Sequence, residues 1–174
     1  MKGKYRVLVE TNRLKYEFIL IRNITIIKGN SATGKSTLVN LIRDYEELVT
    51  DSGIELICEK ACVVLEGRKW QRDLADIKDS IVFIDEGNKF IKSKEFAEQM
   101  KSSDNYYVLI TREKLPMLPY SVKEIYGFRE SKKYYGIKPV YHEFYGIYDN
   151  LAAKVPICPV QIITEDSNSG YQFF

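Results

Sequence analysis

Cysteine and histidine are scarce in this sequence. Three cysteines, Cys58, Cys62 and Cys158, and a single histidine, His142, stand among 174 residues. Cys58 and Cys62 lie four apart, but no second pair completes a zinc set. Three thiols are also too few for a disulfide framework, so reduced, partly buried cysteines are expected. No apolar run approaches the roughly 18 residues that a membrane span needs. The opening segment MKGKYRVLVE has basic residues but no apolar stretch behind them, so no secretory signal is expected, and the expected compartment is the cytoplasm. Charge of one sign is lacking too. Lysine and arginine number 26 against 24 acidic residues, a net charge of +2, which gives no strong non-specific pull on nucleic acid. What remains is ordinary globular chemistry, 45% hydrophobic and 29% charged, which excludes disordered and collagen-like classes. The length suits one domain, 1–174, able to bury about 70% of its unfolded surface.

Along the chain, residues 5–10 alternate apolar and polar, residues 15–21 read as a second strand, and Thr11-Asn12-Arg13 turns between them, a hairpin pattern. Ile24-Thr25-Ile26-Ile27 is a short apolar run of the kind that fills a buried parallel strand. From Lys35 the period becomes helical, with Leu38, Leu41, Ile42, Tyr45 and Leu48 on one face, until Asp51-Ser52-Gly53 stops it. Residues 54–57 and 61–65 read as strands and residues 69–77 as a short helix. A second buried strand covers 81–84. A polar helix is expected over 86–100, with a break near Ile91-Lys92-Ser93, and a third buried strand over 106–110. Beyond Leu115-Pro116-Met117-Leu118-Pro119, residues 122–129 and 140–148 read as a tyrosine-rich hairpin, and the end of the chain is polar. Alternating strands and helices in the middle predict an α/β fold. The expected organisation is a nucleotide-binding core at 5–113, a β-rich accessory segment at 114–160 and a polar tail at 161–174.

Gly29-Asn30-Ser31-Ala32-Thr33-Gly34-Lys35-Ser36 fits G-x-x-x-x-G-K-[ST] at every fixed position, with an apolar strand before it and an amphipathic helix after it. Gly29 allows a tight exit from the strand, and Gly34 allows close backbone approach to phosphate. The loop's N–H groups from Gly29 to Thr37 would form an anion nest, reinforced by the positive end of the following helix. Lys35 would reach the β- and γ-phosphates, and the Ser36 hydroxyl would ligate Mg²⁺. Asp85 and Glu86, directly after the apolar run Ile81-Val82-Phe83-Ile84, are the candidate metal-holding carboxylate and water-orienting base. Thr111 and Arg112 end the third apolar strand. If that strand neighbours the one carrying Asp85, Thr111 would sit near the γ-phosphate and Arg112 would stabilise transition-state charge.

These motifs together resemble the P-loop NTPases that carry a glutamate after the Walker B aspartate, the ABC-type, AAA-type and helicase-like ATPases. The hairpin, strand and GNSATGKSTLVNLI resemble the start of an ABC-type or RecF-like ATPase. IVFIDEGNKF followed by YYVLITRE is similar to Zot-like phage ATPases. The resemblance covers residues 5–113. It implies a P-loop NTPase fold: a mostly parallel central sheet with helices on both faces, an antiparallel N-terminal hairpin and a tyrosine-rich C-terminal β-hairpin. It implies ATP and Mg²⁺ as ligands. No LSGGQ-like segment lies between the motifs, Thr111-Arg112 stands where ABC ATPases carry a switch histidine, and no NKxD appears, which favours ATP over GTP by default.

Seven of thirteen tyrosines fall between Tyr120 and Tyr148, interleaved with Lys123, Arg129, Lys132, Lys133 and Lys138. That mix suits a stacking surface for single-stranded nucleic acid or a protein-binding face, but tyrosine's strand propensity alone accounts for it. His142 reads as structural and Trp70 as a core residue. Arg68 and Arg72 read as solvated helix charges or as an arginine finger for a neighbouring subunit. The expected function is Mg²⁺-dependent ATP binding and hydrolysis, with nucleotide state switching contacts with a partner. The alternatives are a small-molecule or nucleotide kinase and a nucleotide-gated binding module with negligible turnover.

Overall fold

In the computed structural model, residues 3–29, 33–131 and 140–149 are described. Asn30, Ser31 and Ala32 of the phosphate-loop motif, Cys158, and the 161–174 tail lie outside these residues, as do Lys132, Lys133 and Lys138.

Among the described residues nine strands form one sheet: β1 (Tyr5–Glu10), β2 (Leu14–Leu20), β3 (Ile24–Ile27), β4 (Glu55–Ile57), β5 (Cys62–Val64), β6 (Ile81–Ile84), β7 (Tyr106–Ile110), β8 (Ile125–Glu130) and β9 (Val140–Gly146). Their spatial order is β4-β1-β2-β9-β8-β3-β7-β6-β5. β4, β1 and β2 pair antiparallel, as do β8 and β9. β2 and β9 pair parallel, as do all neighbours from β8 through β3, β7 and β6 to β5. Among the described residues three α-helices accompany the sheet: α1 (Lys35–Leu48), α2 (Trp70–Asp76) and α3 (Lys94–Ser102).

This arrangement overturns the expected P-loop NTPase fold with its mostly parallel, helix-covered central sheet and appended hairpins. The sheet is mixed, and both hairpins are built into it. The tyrosine-rich pair β8–β9 stands in the middle of the sheet, between β2 and β3, and does not hang off one end. The reason is visible in the connections. The two edge strands, β4 and β5, are consecutive in sequence and joined only by residues 58–61. A flat sheet of this order would hold its edges about 38 Å apart at ~4.8 Å per strand. The linking residues reach only about 17 Å when fully extended. The sheet therefore curls into a half-barrel. Tyr5 on β1 and Tyr106 on β7 lie five strand spacings apart in the order, yet their rings meet edge-on with centroids 4.9 Å apart. Lys60, at the seam, lays its ammonium over the Tyr5 ring at 4.8 Å and pairs with Asp79. The curl supplies cover on the concave side that a flat sheet would draw from additional helices.

Alternation along the strands sorts the core into two layers. On the concave side, Val7, Val9, Tyr16, Phe18, Phe83, Val108 and Ile110 pack against Leu38, Val39 and Ile42 of α1. On the convex side, Ile24, Ile26, Val82, Ile84, Tyr107 and Leu109 pack against Trp70 and Leu74 of α2 and Phe96, Ala97 and Met100 of α3. The helix expected over 86–100 is interrupted. A turn follows Asp85, a 3₁₀ segment covers Lys89–Lys92, and α3 begins only after Ser93, whose hydroxyl accepts the Phe96 N–H at 3.1 Å. That cap satisfies a first-turn donor and so marks a fresh helix start. At the sheet seam Cys58 and Cys62 are free thiols, and a hydrogen bond from Cys62 pulls the Cys58 thiol below its usual range.

Among the described residues α1 is the one α-helix in the concave core, so its apolar stripe is sensitive to truncation. Ile42→Ala is expected to cost roughly 2–5 kcal/mol, the range for truncating a fully buried isoleucine. Ile19→Ala, at a position 50% exposed on β2, should stay within about 0.5 kcal/mol. Urea unfolding with a shared slope checks both.

Candidate functional site

The strand β3 is buried at all four positions, which fixes where the chain emerges. Gly29 follows it with φ 142° and Gly34 takes φ 83°, both in the left-handed region that favours glycine. α1 then starts at Lys35, with the Leu38 N–H donating to the Gly34 carbonyl at 3.0 Å. Lys35 is buried, and its Nζ bends back over the loop to the Gly29 carbonyl at 3.1 Å and the Thr33 hydroxyl at 2.7 Å. Desolvation pushes its pKa down, and the nearby Arg112 pushes the same way, while Glu86 and Asp85 oppose them.

The acidic strand does not lie next to β3. The order β3-β7-β6 places β7 between them. Even so, α1 and the end of β6 converge: Ser36 Oγ stands 3.4 Å from Asp85 Oδ1 across 49 positions of sequence. The Asp85 carboxylate also accepts the Glu86 N–H at 2.8 Å, which orients it toward Ser36. Asn88 braces the turn, donating from both its backbone N–H and its Nδ2 to the Asp85 carbonyl at 3.1 Å. Glu86 pairs with Arg112 Nε at 3.1 Å from the end of β7. A cavity of about 220 Å³ is lined by Thr33, Gly34, Lys35, Ser36, Thr37, Glu86 and Arg112.

Thr111 differs from Arg112 in placement. It is buried, its N–H donates to the Ile27 carbonyl at 3.2 Å, and its hydroxyl accepts the Glu113 N–H at 3.1 Å. It stiffens the chain after β7 and is not among the residues lining the cavity, whereas Arg112 is. Among the described residues no group of three or more histidine, cysteine or carboxylate side chains is placed to hold a metal. A hydroxyl and one carboxylate, Ser36 and Asp85, form a donor set that fits Mg²⁺, which commonly takes few protein ligands and draws the rest from phosphate and water.

Two supports of the loop have no signal in the sequence motif. Tyr16 on β2 donates its hydroxyl to the Gly34 carbonyl at 3.0 Å. Its burial raises the phenol to about 12, so it remains a donor at neutral pH. His142 on β9 sits opposite Tyr16 in the parallel pair and stacks on it, with centroids 4.4 Å apart and planes 6° apart. Burial lowers the His142 pKa, favouring the neutral ring. The two rings fill the space under Gly34 so tightly that an added Cβ there would stand 2.6 Å from Tyr16 Oη and 3.1 Å from His142 Cε1. The register that brings 16 and 142 together depends on β9 entering mid-sheet, and residue types in sequence do not reveal that.

No helix among the described residues is long and apolar enough to cross a membrane.

Gly34 and Gly53 both have positive φ, but a Cβ at Gly53 would meet nothing within 4 Å. Gly34→Ala should therefore destabilise by about 1–3 kcal/mol more than Gly53→Ala, the usual cost of overpacking added to a shared backbone strain. Parallel urea titrations of the two variants measure the difference.

No family model matches the chain, and no curated protein matches it either.

Proposed function

We propose that the protein binds ATP with Mg²⁺ at the loop between β3 and α1 and hydrolyses it, the nucleotide state altering its contacts with a partner. The observation that carries this reading is the convergence of Lys35, Ser36 and Glu86, drawn from two separate strand ends, on one small cavity, with Asp85 3.4 Å behind Ser36. Each group then has a task. The loop N–H groups and the start of α1 take the phosphate oxygens. Lys35, already held at the loop by Gly29 and Thr33, exchanges those oxygens for the β- and γ-phosphates. Ser36 and Asp85 would hold the metal, which supplies charge neutralisation between the phosphates. Glu86 accepts a proton from water as the water attacks the γ-phosphorus, and ADP leaves with the bridging oxygen. To do so Glu86 must turn away from Arg112. The Arg112 guanidinium then faces the charge building on the transferred phosphoryl group. The pair thus ties the base and the charge-stabilising group to one rearrangement. Both are about half-exposed, so the exchange meets little packing resistance.

Lys35→Ala is expected to abolish ATP binding in calorimetry, or weaken it by roughly a hundred-fold or more, while leaving the far-ultraviolet dichroism unchanged. Full affinity in that folded variant would remove the central claim. Glu86→Gln keeps the shape and hydrogen bonding of the side chain but not its charge. Single-turnover hydrolysis should fall by about 10²–10⁴-fold with ATP affinity nearly preserved. Hydrolysis at the parent rate would reduce Glu86 to a loop acid, and phosphate release by neither protein would favour an acceptor-dependent kinase or a binding module.

A further inference from the structure

A second cavity of about 570 Å³ opens beside the first, lined by Gly67, Arg68, Trp70, Gly87, Asn88, Lys89 and Phe90. It is formed by the segments that follow β5 and β6, so it lies at the same strand ends as the phosphate loop, and Gly87 follows directly on Glu86. Nothing in the proposed hydrolysis uses it.

Its construction is specific. The Trp70 and Phe90 rings stack 4.8 Å apart and 12° from parallel, and Phe96 meets both edge-on, so the aromatic wall is a stack whose more exposed member is Phe90. Trp70 is buried and Phe90 half-buried, so the wall is anchored in the convex core and does not wave in solvent. The two lining segments are locked together. The Gly67 N–H donates to Asn88 Oδ1 at 3.1 Å, and Asn88 Nδ2 donates to the Asp85 carbonyl. Glu66, next to Gly67, is held by Arg43 of α1 at 2.6 Å. Two cations, Arg68 and Lys89, line the cavity, one from each segment, and no acidic residue is among the described residues that line it. Gly67 and Gly87 leave the mouth open, since a Cβ on either would meet nothing within 4 Å.

We propose that this cavity binds a nucleoside monophosphate, its base against the Trp70–Phe90 wall and its phosphate between Arg68 and Lys89. An aromatic wall takes a flat π-system, and paired cations take a dianion. The volume admits one nucleotide, and the two cations supply positive charge for a terminal phosphate. This site goes beyond the ATPase reading and does not require it. If both sites fill together, the triphosphate and a second nucleotide lie side by side at the strand ends.

Trp70 is the sole tryptophan, so its emission reports this cavity directly. The experiment titrates the full chain with AMP and with CMP while following tryptophan fluorescence, first alone and then with a non-hydrolysable ATP analogue and Mg²⁺ present in excess. Saturable quenching is expected in both conditions. Arg68→Ala/Lys89→Ala should weaken it by about ten-fold or more, while Arg72→Ala, outside the lining, should leave it unchanged. Inorganic phosphate and ribose 5-phosphate, which lack the base, should bind about ten-fold more weakly than AMP. No saturable signal from any mononucleotide would overturn the proposal. So would equal binding of ribose 5-phosphate, or tighter binding of a short single-stranded oligonucleotide than of its component nucleotide. Failure of the phosphate-loop reading looks different: the ATP analogue gives no calorimetric heat, while the mononucleotide titration still quenches Trp70.

Discussion

The short tie between the two edge strands governs this structure. Residues 58–61 must carry the chain from one margin of a nine-stranded sheet to the other, and only a strongly curled sheet makes that distance. Curling creates a concave face deep enough for α1 to fill almost unaided, with Leu38, Val39 and Ile42 wholly buried in it. Since α1 begins at Lys35, the same embrace that completes the core also fixes the direction in which the Gly29–Ser36 loop opens. Site and fold are therefore set by one constraint.

The loop is also held from beneath by residues that take no part in the proposed chemistry. Tyr16 grips the Gly34 carbonyl, and His142 backs Tyr16. These come from β2 and β9, in the part of the sheet that carries neither Lys35 nor Asp85. The His142 Nδ1 is buried without a hydrogen-bond partner among the described residues, so its ring is held by the stack on Tyr16 and by the pairing of β9 with β2 and β8. Movement of the loop would press directly on these rings and through them on the two built-in hairpins. The loop and the far half of the sheet are thereby coupled through ordinary packing.

Much of this was legible in residue order, but unevenly. The buried strands at 24–27, 81–84 and 106–110 announce themselves as apolar runs, and the helix from Lys35 shows its period plainly. The Gly29–Ser36 motif and Asp85-Glu86 could be marked as site candidates because fixed spacing reflects a local backbone requirement. What could not be read was which strand lies beside which. A period-two pattern tells which residues share a face, not which strand is the neighbour, so the entry of β8 and β9 into mid-sheet was hidden. Everything that follows from it was hidden too: the mixed sheet, the curl, and the Tyr16–His142 support. The break at Ser93 was half visible, since serine disfavours helix interiors. The bracing of the preceding turn by Asn88 depends on contacts with Asp85 and Gly67 that no local window contains.

The two margins of the sheet, β4 and β5, are three residues each. A row of free backbone donors and acceptors invites another chain to add a strand, and longer margins invite it more. Here each margin is too brief to template much pairing, and the seam tucks the two toward one another, with the charged Lys60–Asp79 pair beside them. A protein devoting so much of its length to strands thus presents little open ladder to its neighbours. That disfavours runaway strand-by-strand self-assembly at high concentration, a property that comes from topology and owes nothing to net charge.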